Sequence, residues 1–237
     1  MKILEISRKD LKYNLNLLKN KLDSNKTKII GVVKGNGMGL GLIQYSNFLL
    51  DNGIDILAVA TVDEALELRK NNINCEILML SEVINNNELI ELIKNDIILT
   101  VGTLEEKNLI QEIARNQNKI VKVHIKIDTG FGRYGFLYNN LDNIMNVVID
   151  TENVKVQGVY THFSKAIDEK WTKLQFNRFH KLMNKIKEEH KNLIFHCSNS
   201  TAFLLYPEMN LDCVRLRFMY SRKSVKKYFR IKKNRNF

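Results

Sequence analysis

The sequence has no long apolar run and few cysteines. No stretch approaches the roughly 18 apolar residues that a membrane-spanning helix needs. The three cysteines, Cys75, Cys197 and Cys213, are odd in number and far apart, which argues against a disulfide framework or a cysteine metal site. Charged residues at Glu5 and 8–10 come too early for a signal peptide. We therefore expect a cytoplasmic protein without a metal.

Acidic residues are absent from residues 217–237, which contain nine lysines or arginines. Removing those nine from the 37 basic residues leaves 28 against 26 acids, so residues 1–216 are close to neutral despite a formal net charge of +11. A strongly basic chain often binds nucleic acid or membrane surfaces. Because the excess charge belongs to the tail, we expect neither partner for the rest of the chain.

Glycine is absent after Gly158 and concentrated in two segments before it. Five of the 11 glycines lie between Gly31 and Gly41, and three more lie between Gly130 and Gly135. Glycine permits positive φ and a close approach of the backbone to a ligand. The first cluster has the spacing of neither a dinucleotide fingerprint nor a P-loop. The two clusters therefore indicate a binding site of another kind.

Apolar, strand-like segments alternate with helical patterns along residues 1–216. Ser7 and Asp10 predict a capped helix over residues 8–22. Strands are predicted at Ile29–Val33, Ile56–Ala60, Glu76–Leu80, Ile97–Val101, Val121–Ile127, Val154–Thr161, Leu193–Cys197 and Cys213–Leu216. Helices are predicted at Ile43–Asn52, Val62–Asn71, Asn87–Lys94, Leu104–Asn116, Leu141–Asp150, Glu169–His190 and Ser200–Tyr206.

This alternation predicts an α/β fold with a parallel sheet. Eight units in about 215 residues favour a closed (β/α)₈ barrel of the TIM type, with an open, doubly wound sheet as the alternative. No linker is visible before residue 217. We therefore predict one domain over residues 1–216, followed by a basic tail at 217–237.

Lys34 ends the first predicted strand, directly before the glycine-rich turn. Functional residues of a (β/α)₈ barrel follow the carboxyl ends of its strands. A lysine that is poorly solvated has a lowered pKa and can form a Schiff base. The alternative is a strand-end lysine whose amine reaches solvent.

Four other strand ends carry polar side chains. Arg133 lies among three glycines after the fifth strand, and His162 follows the sixth. Asn199 and Ser200 follow the seventh, and Arg215 is in the eighth. Each has a plainer explanation, such as a surface arginine, a structural histidine or a helix cap. Together they predict a cationic mouth suited to an anionic cofactor that bears phosphate.

Five segments, in this order, resemble the N-terminal barrel of bacterial alanine racemases. They are Val33–Lys34 with its glycine-rich turn, Lys126–Phe136, Thr161–Phe163, His196–Ala202 and Val214–Leu216. The Asp-Thr-Gly-x-Gly-Arg-x-Gly-Phe pattern within the second segment is the most specific. The resemblance covers residues 1–216 and implies a barrel of fold type III that binds pyridoxal 5′-phosphate (PLP).

The resemblance implies that Lys34 binds PLP covalently and is one of two catalytic bases. PLP supplies the electron sink, and the protein supplies orientation and proton transfer. Arg215 would face the pyridine nitrogen and keep it unprotonated, because arginine does not give up its own proton. His196 would support Arg215 from the preceding strand.

Further roles follow from the same resemblance. Arg133 would bind the ring hydroxyl of PLP and the substrate carboxylate. Lys126 matches a lysine that is carbamylated in many members, where the new carboxylate orients the arginine. His162 would lie near the hydrogen-bond network of the second base. Ser200, with backbone donors of the loops after the last two strands, would hold the phosphate, and Asn199 would accompany it.

The sequence departs from the family pattern in three ways. Met38 stands where the family has a tyrosine that donates to the phosphate, and Arg217 stands where it has a glycine whose amide binds it. The family also has a C-terminal β domain, carrying the second base, that completes a head-to-tail homodimer. From the abrupt change at Arg217 we predict a frameshifted or truncated product. The alternative is a genuine basic tail that binds nucleic acid or anionic lipid.

The resemblance implies that the protein interconverts L-alanine and D-alanine, which would supply D-alanine for peptidoglycan. Because of the three departures, we expect this chain to be an impaired copy. One alternative is a stand-alone barrel that handles PLP without racemising amino acids. Another is a racemase of the same fold that acts on serine or a larger amino acid.

Overall fold

The computed structural model describes residues 5–22 and 26–217 of the chain. The first helix, α1 (Arg8–Lys19), lies outside the alternating pattern. The Ser7 hydroxyl caps it by accepting a hydrogen bond from the Asp10 amide at 3.2 Å, as predicted. The helix ends at Lys19 instead of residue 22. The predictions made for residues 218–237 lie outside the described residues.

Eight parallel strands form a sheet that closes on itself. They are β1 (Lys28–Val32), β2 (Ile56–Val59), β3 (Glu76–Met79), β4 (Leu99–Val101), β5 (Val121–Asp128), β7 (Val154–Tyr160), β8 (Ile194–Asn199) and β9 (Cys213–Leu216). Their hydrogen-bonded order is β3-β2-β1-β9-β8-β7-β5-β4. A bridge between Leu78 and Ile98 joins the two ends of that order. The predicted (β/α)₈ barrel is therefore confirmed, and the open sheet is excluded.

Helices connect the strands close to the predicted positions. They are α3 (Leu42–Asp51), α4 (Val62–Lys70), α5 (Asn86–Lys94), α6 (Leu104–Asn116), α7 (Leu141–Val147), α8 (Glu169–Glu189) and α9 (Ser200–Leu205). The sequence patterns missed three short elements: α2 (Lys34–Met38), β6 (Phe136–Leu137), which pairs with β5, and a 3₁₀ turn at Pro207–Met209. Among the described residues, no helix combines the length and apolarity that crossing a membrane would require.

Alternation along the strands divides the buried residues into two sets. Outward side chains such as Val33 and Val214 pack against the helices in one large cluster. Inward side chains on β1 to β3 form a second, smaller apolar cluster that includes Ile30, Ala58 and Leu78. Several inward positions of β5, β8 and β9 are polar instead, among them His124, His196 and Arg215. This asymmetry leaves one side of the barrel interior for charged groups.

Candidate active site

A cavity of about 630 Å³ opens at the carboxyl ends of the strands, here called the mouth. Loops after a parallel strand meet there because all strands point the same way. The cavity is lined by seven of the eight residues predicted from the sequence: Lys34, Lys126, Arg133, His162, Asn199, Ser200 and Arg215. The eighth, His196, lies behind Arg215 in the barrel interior. The structure therefore brings together the residues that the strand-end argument selected.

Lys34 is held at the mouth by the turn that follows it. Gly35, Asn36 and Gly37 all have left-handed φ and ψ, so α2 is a left-handed turn in place of a regular helix. Glycine suits these positions because it has no Cβ to clash there. The Glu64 carboxylate accepts hydrogen bonds from the amides of Gly35 and Asn36 and ties the turn to the start of α4.

The environment of Lys34 lowers the pKa of its amine. Partial burial lowers its pKa, and the charges of Arg217 and Arg133 lower it further, against a smaller opposing effect of Glu64. A neutral amine is the nucleophilic and basic form of lysine. Lys34 itself is half-buried at the edge of the cavity.

The loop that carries Arg133 is built on the side chain of Asp128. This carboxylate accepts hydrogen bonds from four successive amides, those of residues 130–133, at 2.7–3.1 Å. Burial alone would raise the pKa of Asp128, but the four donors outweigh it and hold the pKa below its usual value. Gly135 closes the loop at positive φ, where an added Cβ would lie 2.6 Å from the Lys126 carbonyl oxygen. These contacts explain the Asp-Thr-Gly-x-Gly-Arg-x-Gly spacing.

Lys126 is a buried lysine on the inward face of β5, only 2% exposed. Its Nζ donates to the Tyr134 carbonyl and lies 5.4 Å from the centre of the Tyr134 ring. Burial lowers its pKa to about 8, and the charges of Arg133 and Arg215 act in the same direction. A substantial neutral fraction therefore exists near pH 8, as reaction with carbon dioxide would require.

The Arg215 guanidinium is 3% exposed and fixed on two sides by histidines. Its Nη1 donates to His196 Nδ1 at 2.6 Å, and its Nη2 lies 3.2 Å from His162 Nδ1. Carbonyl groups of Thr161, His196 and Cys197 accept the remaining bonds. All five bonds to described residues use Nη1 and Nη2, so Nε has no partner among them.

A hydrogen-bonded chain extends from Arg215 toward the other end of the barrel. Arginine only donates, so His196 Nδ1 accepts and its proton is assigned to Nε2. His196 Nε2 lies 2.8 Å from His124 Nδ1, which must accept in turn. His124 Nε2–H is then left as a donor near Gln157, whose side-chain carbonyl oxygen is buried and has no hydrogen-bond partner among the described residues. Gln157 Nε2 donates to Glu76 at 2.9 Å.

The histidines of this region are neutral. Burial and the charge of Arg215 lower the pKa of His162 to about 2. Burial lowers the pKa of His124 to about 4 and that of His196 well below its ordinary value. The sequence reasoning missed His124, although it shares the inward face of β5 with Lys126, two residues away. That alternation was the signal that could have found it.

The strand-end residues Asn199 and Ser200 combine a structural role with a place in the cavity. Asn199 Oδ1 caps α9 by accepting from the amides of Thr201 and Ala202 at 3.1 and 3.0 Å. The Ser200 hydroxyl accepts from the Arg217 amide at 2.8 Å. Its own proton has no acceptor among the described residues, so it can donate to a ligand. The helix-cap alternative is thus correct for the Asn199 carbonyl oxygen.

The donor set of the cavity fits an anion. Five cationic side chains line it: Lys34, Lys126, Arg133, Arg215 and Arg217. Glu82 is the one acid among the described residues that line it. An amine of lowered pKa beside several cationic side chains and a donor-only arginine fits the aldehyde, phosphate and ring nitrogen of PLP. No group of three or more potential metal ligands occurs in the described ranges.

Fold and mouth together define a (β/α)₈ barrel with a cationic site around a strand-end lysine. The family model described as alanine racemase, N-terminal domain, matches residues 6–216. The chain therefore belongs to the alanine racemase N-terminal domain family.

Individual relatives agree with this assignment. An alanine racemase of Methanococcus maripaludis is 39% identical over 216 residues, which cover 89% of this chain and 57% of that protein. One from Clostridium tetani is 37% identical, with 89% and 55% covered. The solved structure of alanine racemase from Clostridium difficile 630 is 33% identical, with a TM-score of 0.85 over 93% of this chain and 59% of that one. The chain thus spans just over half the length of these relatives.

Proposed function

We propose that this chain is the PLP-binding barrel of an alanine racemase, which interconverts L-alanine and D-alanine. The observation that carries the proposal is the position of Lys34, a lysine of lowered pKa in a cavity that Arg215 also lines. Family membership supplies the reaction class. The physiological consequence would be a supply of D-alanine for peptidoglycan, made in the cytoplasm.

PLP, when bound, withdraws the electron pair that remains when a substrate loses its α-proton. Lys34 Nζ would hold the cofactor and would also take or return a proton at the α-carbon on one face. Arg133 would bind the substrate carboxylate, since a guanidinium matches a carboxylate in shape and charge. Its position is fixed by the amide contacts of Asp128.

Arg215 would donate from Nε to the ring nitrogen of the cofactor and keep that nitrogen unprotonated. A guanidinium can do this because it has no accessible neutral form near pH 7. Histidines on either side of Arg215 and three backbone carbonyls accept its other protons, which would hold the guanidinium in one orientation. The Ser200 hydroxyl would donate to the phosphate, with Asn199 beside it.

The cofactor assignment is tested by labelling. The full chain is incubated with PLP, reduced with borohydride and digested, and the pyridoxyl-lysine is located by mass spectrometry. We expect the label on Lys34 in the unaltered chain and in Lys165→Ala, which removes an exposed lysine after β7. Lys34→Ala should take up none. A label elsewhere, with Lys34 unmodified, would overturn the assignment.

A further inference from the structure

Arg217 continues the inward alternation of the last barrel strand. On β9, Cys213 faces the interior cluster and Arg215 faces the cavity, while Val214 and Leu216 pack outward against the helices. Side chains two residues apart share a face of a strand. Arg217 is two residues beyond Arg215, and it lines the same cavity. Its guanidinium is thus presented at the mouth.

The backbone amide of Arg217 is already occupied, because it donates to the Ser200 hydroxyl at 2.8 Å. It is therefore not available as an amide donor to a phosphate. This contact also fixes Arg217 beside Ser200, at the end of the cavity formed by the loops after β8 and β9. Any anion bound by Ser200 lies next to the residue that carries the Arg217 charge.

The charge of Arg217 reaches the reactive lysine. After burial, it is the largest influence on the pKa of Lys34, and it exceeds that of Arg133. Met38, on the other side of Lys34, packs against the apolar interior cluster and has no donor. Among the described cationic residues that line the cavity, Arg217 is the one whose backbone is hydrogen-bonded to Ser200.

We propose that the Arg217 side chain binds the phosphate of the cofactor, beside the Ser200 hydroxyl. The inference rests on the proposed function. The ligand chemistry is a phosphate monoester, and the contact is a charge-assisted hydrogen bond from guanidinium to phosphate oxygen.

The experiment compares two ligands that differ only in the phosphate. Dissociation constants for PLP and for pyridoxal are measured by absorbance in the full chain and in Arg217→Met. We expect Arg217→Met to weaken PLP binding about tenfold to a hundredfold, as the loss of one charge-assisted bond predicts, and to change pyridoxal binding less than twofold. Arg217→Lys should retain part of the PLP affinity. Arg115→Met, an exposed arginine on α6, should alter neither constant.

Equal effects on the two ligands, or tighter PLP binding by Arg217→Met, would overturn the proposal. Titration with inorganic phosphate, followed by ³¹P NMR line width, gives a readout that does not depend on Lys34. Phosphate broadening that persists in Arg217→Met would also overturn it. If PLP fails to label Lys34 while phosphate binding still depends on Arg217, the proposed function fails and the anion site stands.

Discussion

The two sides of the barrel interior share one backbone architecture but differ in side-chain polarity. The side formed by β1 to β3 is filled with apolar side chains that need no partners: Ile30, Val32, Ala58 and Leu78. The side formed by β4, β5 and β7 to β9 carries polar groups that contact one another: Thr100, His124, Lys126, Tyr160, His196 and Arg215. The apolar side supports Lys34 at its rim. The polar side holds a charged guanidinium in place.

The comparison shows why the polar side depends on hydrogen bonds between its side chains. A buried polar group costs free energy unless it is hydrogen-bonded, whereas an apolar residue needs only matching volume. On the polar side, Tyr160 stacks on His196 with ring centroids 4.8 Å apart and bonds Thr100 at 3.0 Å. His196 in turn holds Arg215. A single substitution there leaves several groups unpaired, while one on the apolar side changes only packing.

The strongest test of this comparison is whether the 237-residue chain contains both catalytic bases that a racemase needs. Racemisation needs a base on each face of the substrate α-carbon, and in the proposed function Lys34 would serve one face. A positioned acid–base group contributes roughly 10²–10⁴-fold. We therefore expect the 237-residue chain, loaded with PLP, to form D-alanine from L-alanine at least about 10²-fold below ordinary rates. Deuterium exchange at the α-carbon of one enantiomer, without inversion, should still occur.

The control for that assay is Lys34→Ala, which should abolish exchange as well. Turnover at or above ~1 s⁻¹, an ordinary enzyme rate, would contradict the prediction. It would show that a second base lies within these residues. A residue of the polar side would then act as the second base, although its histidines are held neutral.

Stability gives the second test of the comparison. Arg215→Leu removes the guanidinium and leaves the two histidines and three carbonyls that face it without their donor. We expect a loss of about 3–5 kcal/mol in the free energy of unfolding, as for a broken buried charge network. The matched change on the apolar side is Leu78→Met, which conserves volume and should cost less than about 1.5 kcal/mol. Urea unfolding measures both, and equal losses would refute the comparison.

The apolar side was predictable from sequence, and much of the site was as well. Consecutive apolar runs identified the strands, and the strand-end rule then selected Lys34 and Arg215 without knowledge of their contacts. The Asp128 contacts were not predictable, since four amides converge on one carboxylate only after the loop has its conformation. The same holds for the left-handed turn at Gly35 and Gly37, which depends on Glu64 from another helix.

The pH dependence of the free energy of unfolding gives a third test of the polar side, with a smaller expected effect. Unfolded histidines take up a proton below about pH 6.5, whereas burial lowers the pKa of His124 to about 4 in the folded barrel. Between these values the unfolded state binds more protons, so the free energy of unfolding falls as the pH falls. His124 alone would account for up to about 3 kcal/mol at pH 4, and His196 adds to it.

Urea unfolding from pH 4.5 to 7.5 checks this slope. His124→Gln should be less stable at pH 7 but should show a shallower loss toward pH 4.5. His180→Gln, at an exposed position on α8, should keep the slope of the unaltered chain. Parallel slopes in all three proteins would show that His124 is not held neutral by the fold.

The prediction for Lys126 has the smallest expected effect, because it concerns a chemical modification of one side chain and not the stability of the barrel. Burial lowers its pKa to about 8, so about half of it is neutral at pH 8, while an ordinary lysine is almost fully charged there. Carbamylation requires the neutral amine. We expect ¹³C-bicarbonate to produce one carbamate signal in ¹³C NMR, which weakens below pH 8 and disappears in Lys126→Ala. Lys122→Ala, on the same face of β5 but at its other end, should retain the signal. Its loss in Lys122→Ala alone would place the carbamate at the wrong end of the barrel and remove Lys126 from the site chemistry.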